Sequence, residues 1–412
     1  MSEQEISAYD ALEHQIDSIM REAIAAEAFP GAVIYVSKGD SVLFYKPYGH
    51  HTYDSIRAVD KYDIYDLASI TKVMGATLAL MKMYDEGLFK LDDKIGDYVD
   101  GLGRKVGGVT FREALAHHGG LYPWIAYHAE MRRKNGAFKN KSVSSKMDDE
   151  YPFALTDSLF LHRDFYKKIK RLIRKSQVEK EPSYRYSGLF FYLVPELTQQ
   201  LTGQSFDTFL KKNFYSPLQA KTVMFNPLEK ISLERIAPTE VDTFFRMTPI
   251  HGKVHDEGAI MMRGVSGNAG LFGNAEDVAK VWRMMLKGGR EDTITYLSPQ
   301  VIDLFTTAQF PNEDNRRGLG FDKPLLEYDS IRSSVAKSAS HRSYGHSGYT
   351  GTLVWADPDN DLLFIFLSNR VYPTRANRAL YNLNVRPTIH QLIYDYLKRS
   401  EGEEALPVES TK

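Results

Sequence analysis

The chain contains no cysteine among its 412 residues. That excludes disulfides, thiolate metal sites and a cysteine nucleophile, and it leaves the compartment open. No segment approaches the apolar length needed to span a bilayer. There is no charge imbalance either: 52 lysines and arginines face 53 aspartates and glutamates, for a net charge of −1. Neither nucleic acid nor an anionic membrane surface is implied as a partner. No internal repeat is visible. The glycine-rich run 251–274 has no strand–Gly-x-Gly–helix pattern and no Walker lysine, so no phosphate cradle is expected there. His117-His118 lack a third histidine or a carboxylate at ligand spacing, and adjacent residues point apart, so a structural turn is expected and not a metal site. No metal or organic cofactor is implied. The start, Met1-Ser2-Glu3-Gln4-Glu5, is polar and acidic and unlike a secretory leader. As written the chain reads as cytoplasmic, and as periplasmic or cell-envelope if a leader has been removed.

What is present is ordinary for a globular protein: 43% hydrophobic and 25% charged residues. The length allows two or three domain-sized units or one composite fold. Residues 8–27 carry Leu12, Ile16, Ile19, Met20, Ala23 and Ile24 at helical spacing. Residues 32–37 and 42–45 read as two strands joined by a Lys38-Gly39-Asp40 turn. Thr110 and Glu113 form a capping box ahead of a short helix. Over 131–181 basic residues surround a stripe of Phe165, Ile169, Leu172 and Ile173. A solvated face on a packed helix is the plainer account of that stripe, and a membrane or acidic partner the alternative. Further helices are expected from Phe190 to about Leu201, over 205–214, over 275–286 behind an Asn274 cap, and over 387–397. Strands are expected from Tyr349 to Trp355 and from Leu362 to Ser368, with Asp357-Pro358-Asp359-Asn360 as the turn.

This order predicts an α/β (α+β) fold, with one antiparallel sheet built from both chain ends, flanked by helices, and a mostly helical domain inserted. The expected division is 8–60 plus 290–398 for the sheet domain and 61–289 for the helical one. Residues 125–182 would form an insertion or lid, and 400–412 a loose tail. A site is expected in the cleft between the two parts.

Ser69-Ile70-Thr71-Lys72 opens an apolar helical run. Positions three apart share a helix face, so the Ser69 hydroxyl and the Lys72 amine can meet where backbone N–H groups are unpaired. A serine there beside an amine is a candidate nucleophile. Alone, the motif is weak, arises often by chance, and reads far more readily as an N-cap serine followed by a surface lysine. Two later stretches stand in order behind it: Tyr186-Ser187-Gly188 before a helix, and His346-Ser347-Gly348 before a strand.

This set resembles the serine β-lactamase and penicillin-binding-protein superfamily, most closely its class C β-lactamase, D-alanyl carboxypeptidase and family VIII esterase branch. The likeness extends over FPGAVIYVSKGDSVLFYKPYG, YDLASITKVMGATLALMKMYDEGLFKLDDKIGDYV, LAHHGGL, LTGQSFDTFLKKNFYSPL, GNAGLFGNAEDVAKVWRMML and YGHSGYTGTLVWADPDNDLLFIFLSNR, together spanning roughly residues 10–398. The resemblance implies Ser69 as the acylated nucleophile, with Lys72 and Tyr186 sharing its proton. An ordinary tyrosine titrates near pH ~10 and a lysine near ~10.4; packed together, the ammonium would lower the phenol and burial the amine. Backbone N–H groups of Ser69 and Tyr349 would form the oxyanion hole. His346, Ser347, Gly348, Tyr349 and Gly188 are the expected substrate-side residues.

Two departures stand out. His346-Ser347-Gly348 replaces the commoner Lys-Thr-Gly, so a weaker, pH-dependent positive charge would meet a substrate carboxylate. Gly188 replaces the asparagine of Tyr-x-Asn, whose amide would bond a substrate's acyl-amide carbonyl. The resemblance thus implies a serine hydrolase acting through an acyl-Ser69 intermediate on an ester, small amide or D-amino-acid peptide. The alternatives are a non-catalytic module that binds cell-wall peptides, and a true class C-type β-lactamase. The expected partner is a small-molecule or peptide substrate, and nothing in the sequence sets the oligomeric state.

Overall fold

A computed structural model describes residues 3–135, 137–181 and 183–400. Its centre is a five-stranded antiparallel sheet of β1 (Gly31–Lys38), β2 (Ser41–Gly49), β3 (Tyr344–Ser347), β4 (Leu353–Asp357) and β5 (Leu362–Ser368), in the spatial order β3-β4-β5-β1-β2. The first and last strands of the chain are therefore neighbours, in register from Ala32↔Ser368 to Lys38↔Leu362.

Side chains alternate across this sheet, and both faces are covered. Ala32, Ile34 and Val36 of β1, with Leu362, Phe364 and Phe366 of β5, pack under the terminal helices Glu3–Ala25 and Val385–Ser400. Val33, Tyr35, Leu363, Ile365 and Leu367 face the other way, onto a larger core that includes Val278, Val281, Trp282 and Met285 of the helix Ala275–Leu286. A strand buried on both faces has no polar side to show, and all seven residues of β5 are apolar or small and buried.

The observed elements follow the expected ones with shifted ends. The first helix runs Glu3–Ala25, the capping box closes on Thr110 and Glu113, and Asn274 accepts from the Asp277 N–H. Phe165, Ile169 and Ile173 turn their stripe inward, so the basic helix is a packed one with a solvated face. One expectation is corrected. The strand foreseen from Tyr349 to Trp355 begins only at Leu353, and His346 and Ser347 lie inside the edge strand β3. The reason is Gly351, whose φ of +99° lets the chain reverse there. Gly348 donates to the Thr352 carbonyl at 2.7 Å and Gly351 to the Gly348 carbonyl at 3.0 Å. The helical middle also carries small sheets, such as Tyr65–Asp66 and Met224–Phe225 on either side of Leu271–Gly273. Strands of two or three residues are too short to show a period in sequence. The tail expected over 400–412 lies outside the described residues from 401 onward.

Phe366 is fully buried and meets Phe29 edge-on, with ring centroids 5.6 Å apart. Phe366→Ala is expected to lower stability by about 3–5 kcal/mol in urea denaturation. Ile331→Ala, at a position 92% exposed, should stay within about 0.5 kcal/mol of wild type. Comparable losses in the two variants would contradict the two-faced core.

Candidate active site

The site begins with a strained turn. Asp66 ends a short strand paired to Phe272, and the Leu67 N–H continues that pairing to the Leu271 carbonyl at 2.9 Å. Ala68 then has φ +45°, a left-handed conformation that a side chain disfavours by roughly 1–2 kcal/mol. The buried Asp66 carboxylate holds the turn. It accepts from the Ala68 N–H at 2.8 Å and from the His255 N–H at 2.7 Å. Burial raises its pKa against the pull of those two bonds.

The turn delivers Ser69 to the mouth of a helix that starts at Ile70. Lys72–Thr77 form a π-helical segment, followed by Leu78–Asp85. Lys72 is 2% exposed. Its ammonium donates to Ser69 Oγ at 2.9 Å and to the Asn268 carbonyl at 3.0 Å. The surface-lysine reading of Ser-x-x-Lys is therefore excluded.

Tyr186-Ser187-Gly188 is moored by its backbone. The Ser187 N–H donates to His117 Nδ1 at 3.2 Å, Ser187 Oγ to the Tyr122 carbonyl at 2.7 Å, and the Gly188 N–H to the Pro123 carbonyl at 3.2 Å. The Tyr186 ring then lies 5.4 Å from Lys72 Nζ, so the structure brings Ser69, Lys72 and Tyr186 together. Among the described residues the Tyr186 hydroxyl has no hydrogen-bond partner.

The third stretch is stapled to the first. Thr350 Oγ1 donates to the Asp66 carbonyl at 2.8 Å. A Cβ on Gly348 would stand 2.8 Å from the Leu67 carbonyl, so only glycine lets the two turns touch. Tyr349 follows, 49% exposed, in the turn and not in a strand. The N–H groups of Ser69 and Tyr349 are given no acceptor by the described residues. Ser347 is half-buried beside them.

His346 needs a correction. Its Nδ1 bonds the Ser347 carbonyl at 2.7 Å, while Nε2 is buried without a partner. Burial, then the positive charges of Arg317 and Lys72, push its pKa down to about 3. Near neutral pH it is an uncharged ring, so the pH-dependent positive charge expected there is not held by the imidazole.

Several neighbours of Lys72 and Tyr186 were not placed at the site by the sequence. Arg317, 5% exposed, sets its guanidinium 5.2 Å from the Tyr186 ring centre and pairs with Asp322 at 3.4 Å. His117 was read as turn structure. Its own φ is +53°, but its ring also packs on Tyr186 at 4.5 Å, and burial drives its pKa well down. Asn268 supplies a ligand to Lys72. The paired arginines at 316–317 gave no hint of which one is buried, and Asn268 lay in the family-like stretch GNAGLFGNAEDVAKVWRMML without a role of its own.

The antiparallel sheet with its helical layer, and the serine between them, define the β-lactamase/transpeptidase group of folds. The chain belongs to the Beta-lactamase family, whose model matches residues 16–385. It is 29% identical over 392 residues to a protein of Escherichia coli O157:H7 named "Putative D-alanyl-D-alanine carboxypeptidase", covering 87% of this chain and 82% of that one. A protein of the same name from Salmonella schwarzengrund (strain CVM19633) is 30% identical over 393 residues, with 88% and 84% covered. Among solved structures, EstCE1, a hydrolase with promiscuous acyltransferase activity, superposes with a TM-score of 0.66 at 17% identity, over 93% of this chain and 99% of its own. The octameric penicillin-binding protein homologue from Pyrococcus abyssi gives 0.64 at 18% identity, over 95% and 78%. The family is one of serine hydrolases, and no helix of the described residues is long and apolar enough to cross a membrane.

The buried imidazoles set a pH dependence. His346 and His390 both have pKa values pushed down to about 3, chiefly by burial. Between about pH 3 and about 6.5 the unfolded chain binds protons at these rings that the folded chain refuses. Stability from this source is therefore complete above about pH 6.5 and falls as the pH drops, by no more than about 1.4 kcal/mol per pH unit for each ring. Urea midpoints measured from about pH 7 down to about pH 4.5 should fall, and His346→Gln should flatten the decline. An unchanged slope in the variant would contradict a neutral, buried His346.

Proposed function

We propose that this protein is a serine hydrolase that forms an acyl-enzyme on Ser69. The observation that carries the reading is the 2.9 Å hydrogen bond from Lys72 Nζ to Ser69 Oγ, made in a buried setting beside the Tyr186 ring. In this reading Ser69 Oγ attacks a carbonyl and its proton passes to the Lys72–Tyr186 pair, which returns it to the leaving group. The backbone N–H groups of Ser69 and Tyr349 receive the developing oxyanion. Water then releases the acyl group. The substrates are esters, small amides or peptides ending in D-amino acids; the names of the Escherichia coli and Salmonella relatives support the last. Gly188 and a neutral His346 make efficient β-lactam turnover a side activity at most.

A second reading keeps the fold as a binding module for cell-wall peptides without turnover. The altered second and third motifs, Tyr186-Ser187-Gly188 and His346-Ser347-Gly348, favour it, and the intact Ser69, Lys72 and Tyr186 argue against it. A chromogenic ester, a chromogenic cephalosporin and a peptide ending in D-alanyl-D-alanine, each tested with wild type and Ser69→Ala, separate the two. The hydrolase reading expects turnover of at least one substrate and a loss on the order of a thousandfold or more in the variant. Intact-mass spectrometry after a fluorophosphonate probe should show one adduct, absent from Ser69→Ala. No adduct and equal turnover would leave only the binding module.

A further inference from the structure

Gly188 and Asn268 share one space. A Cβ built on Gly188 would lie 2.5 Å from Asn268 Oδ1, closer than any side chain tolerates. The asparagine thus fills the volume that a side chain at 188 would use, two residues past Tyr186. Its main-chain carbonyl accepts from Lys72 at 3.0 Å, which places it in the same chamber as the nucleophile.

The orientation of its carboxamide is determined by its neighbours. Tyr192 has one hydroxyl proton, and it goes to Asp256 Oδ1 at 2.8 Å. Tyr192 must then accept from Asn268 Nδ2, 2.9 Å away. The second amide hydrogen reaches Asp256 Oδ2 at 3.2 Å. Asp256 is held in turn by the Ala259 N–H at 2.7 Å. Both hydrogens of the NH₂ group are therefore committed to the buried Tyr192 hydroxyl and the half-buried Asp256 carboxylate. The carboxamide oxygen is left facing Gly188, and the described residues offer it no donor.

We propose that Asn268 is the acyl-side specificity residue of this site, and that its carboxamide oxygen accepts a hydrogen bond from an N–H on the carbon next to the scissile carbonyl. The substrate class is then acyl groups of the amino-acid type, carrying an amide or amine N–H at that position. The polarity is the reverse of an asparagine that offers its NH₂ group to a substrate carbonyl. The inference rests on the hydrolase reading and narrows it.

The test uses two p-nitrophenyl esters matched in shape, N-acetylglycinate and 4-oxopentanoate, in which a CH₂ replaces the N–H. Turnover is taken as the rate above the Ser69→Ala background. Wild type should prefer the N–H ester in kcat/KM by roughly fivefold or more, the scale of one hydrogen bond. Asn268→Ala should bring the ratio near one. Gly188→Ala, whose Cβ displaces the oxygen, should do the same, and the double variant should lose no further preference. The ratio is the readout, so an equal loss on both esters counts against the proposal. Ser69-dependent turnover with a wild-type ratio near one, or a ratio untouched in both single variants, overturns this inference alone. Equal turnover by wild type and Ser69→Ala overturns the hydrolase reading and this inference with it.

Discussion

The site depends first on a carboxylate that never meets solvent. Asp66 spends its two oxygens on two backbone N–H groups, one from the strained residue Ala68 and one from His255 on a distant loop. Burying a carboxylate is costly unless its lone pairs are occupied. Here the occupants are the groups that fix the direction of Ser69. The left-handed Ala68 costs about as much as one good hydrogen bond returns, and the charge-assisted bond from its own N–H is the term that offsets it. Remove the carboxylate and the turn has no reason to keep that shape.

Around Tyr186 two cations stand with two neutral imidazoles. Two cations approach its ring, Lys72 at 5.4 Å and Arg317 at 5.2 Å. Two imidazoles, His117 and His346, complete the surround and are kept neutral, chiefly by burial and then by those same cations. Adding a proton to either ring would place a third positive charge in a chamber with little water to screen it. The rings therefore act as apolar plates with one bonded nitrogen each. His117 orients the Tyr186 segment through the Ser187 N–H, and His346 fixes its own ring on the edge strand.

The sheet and its two covering layers were legible because they are long periodic features. Residues such as Leu12, Ile16 and Met20, or the run from Leu362 to Ser368, declare which face is buried before any coordinate is known. The three motif stretches were legible through resemblance and order, since a lone Ser-x-x-Lys carries little information. What stayed hidden has one physical cause. Arg317, Asn268 and Asp66 act through what they face, and their partners lie far away in the chain: 133 residues separate Arg317 from Tyr184, 76 separate Asn268 from Tyr192, and 189 separate Asp66 from His255. No local pattern encodes a contact of that separation. The charge of His346 was misread for the same reason, because its burial, and after that the charges of Arg317 and Lys72, are set by packing that its own strand does not reveal.

The place of the site follows from how the chain closes. The sheet pairs the first strand with the last, and its edge strand turns back at Gly348 against the Leu67 carbonyl. Thr350 then bonds the Asp66 carbonyl across 284 residues of sequence. The Ser69 turn, the Tyr186 segment and the edge-strand turn thus come from three separate stretches that meet only when the sheet and the helical layer are packed. Each is held by side-chain and backbone groups together: the Asp66 carboxylate on the Ala68 N–H, Ser187 Oγ on the Tyr122 carbonyl, and Thr350 Oγ1 on the Asp66 carbonyl. Gly188 and His346 sit on the latter two stretches, and neither supplies a bond that holds the Ser69 turn. The Asn268 main-chain carbonyl, by contrast, accepts directly from Lys72, so the run that carries it is tied to the Ser69 helix itself.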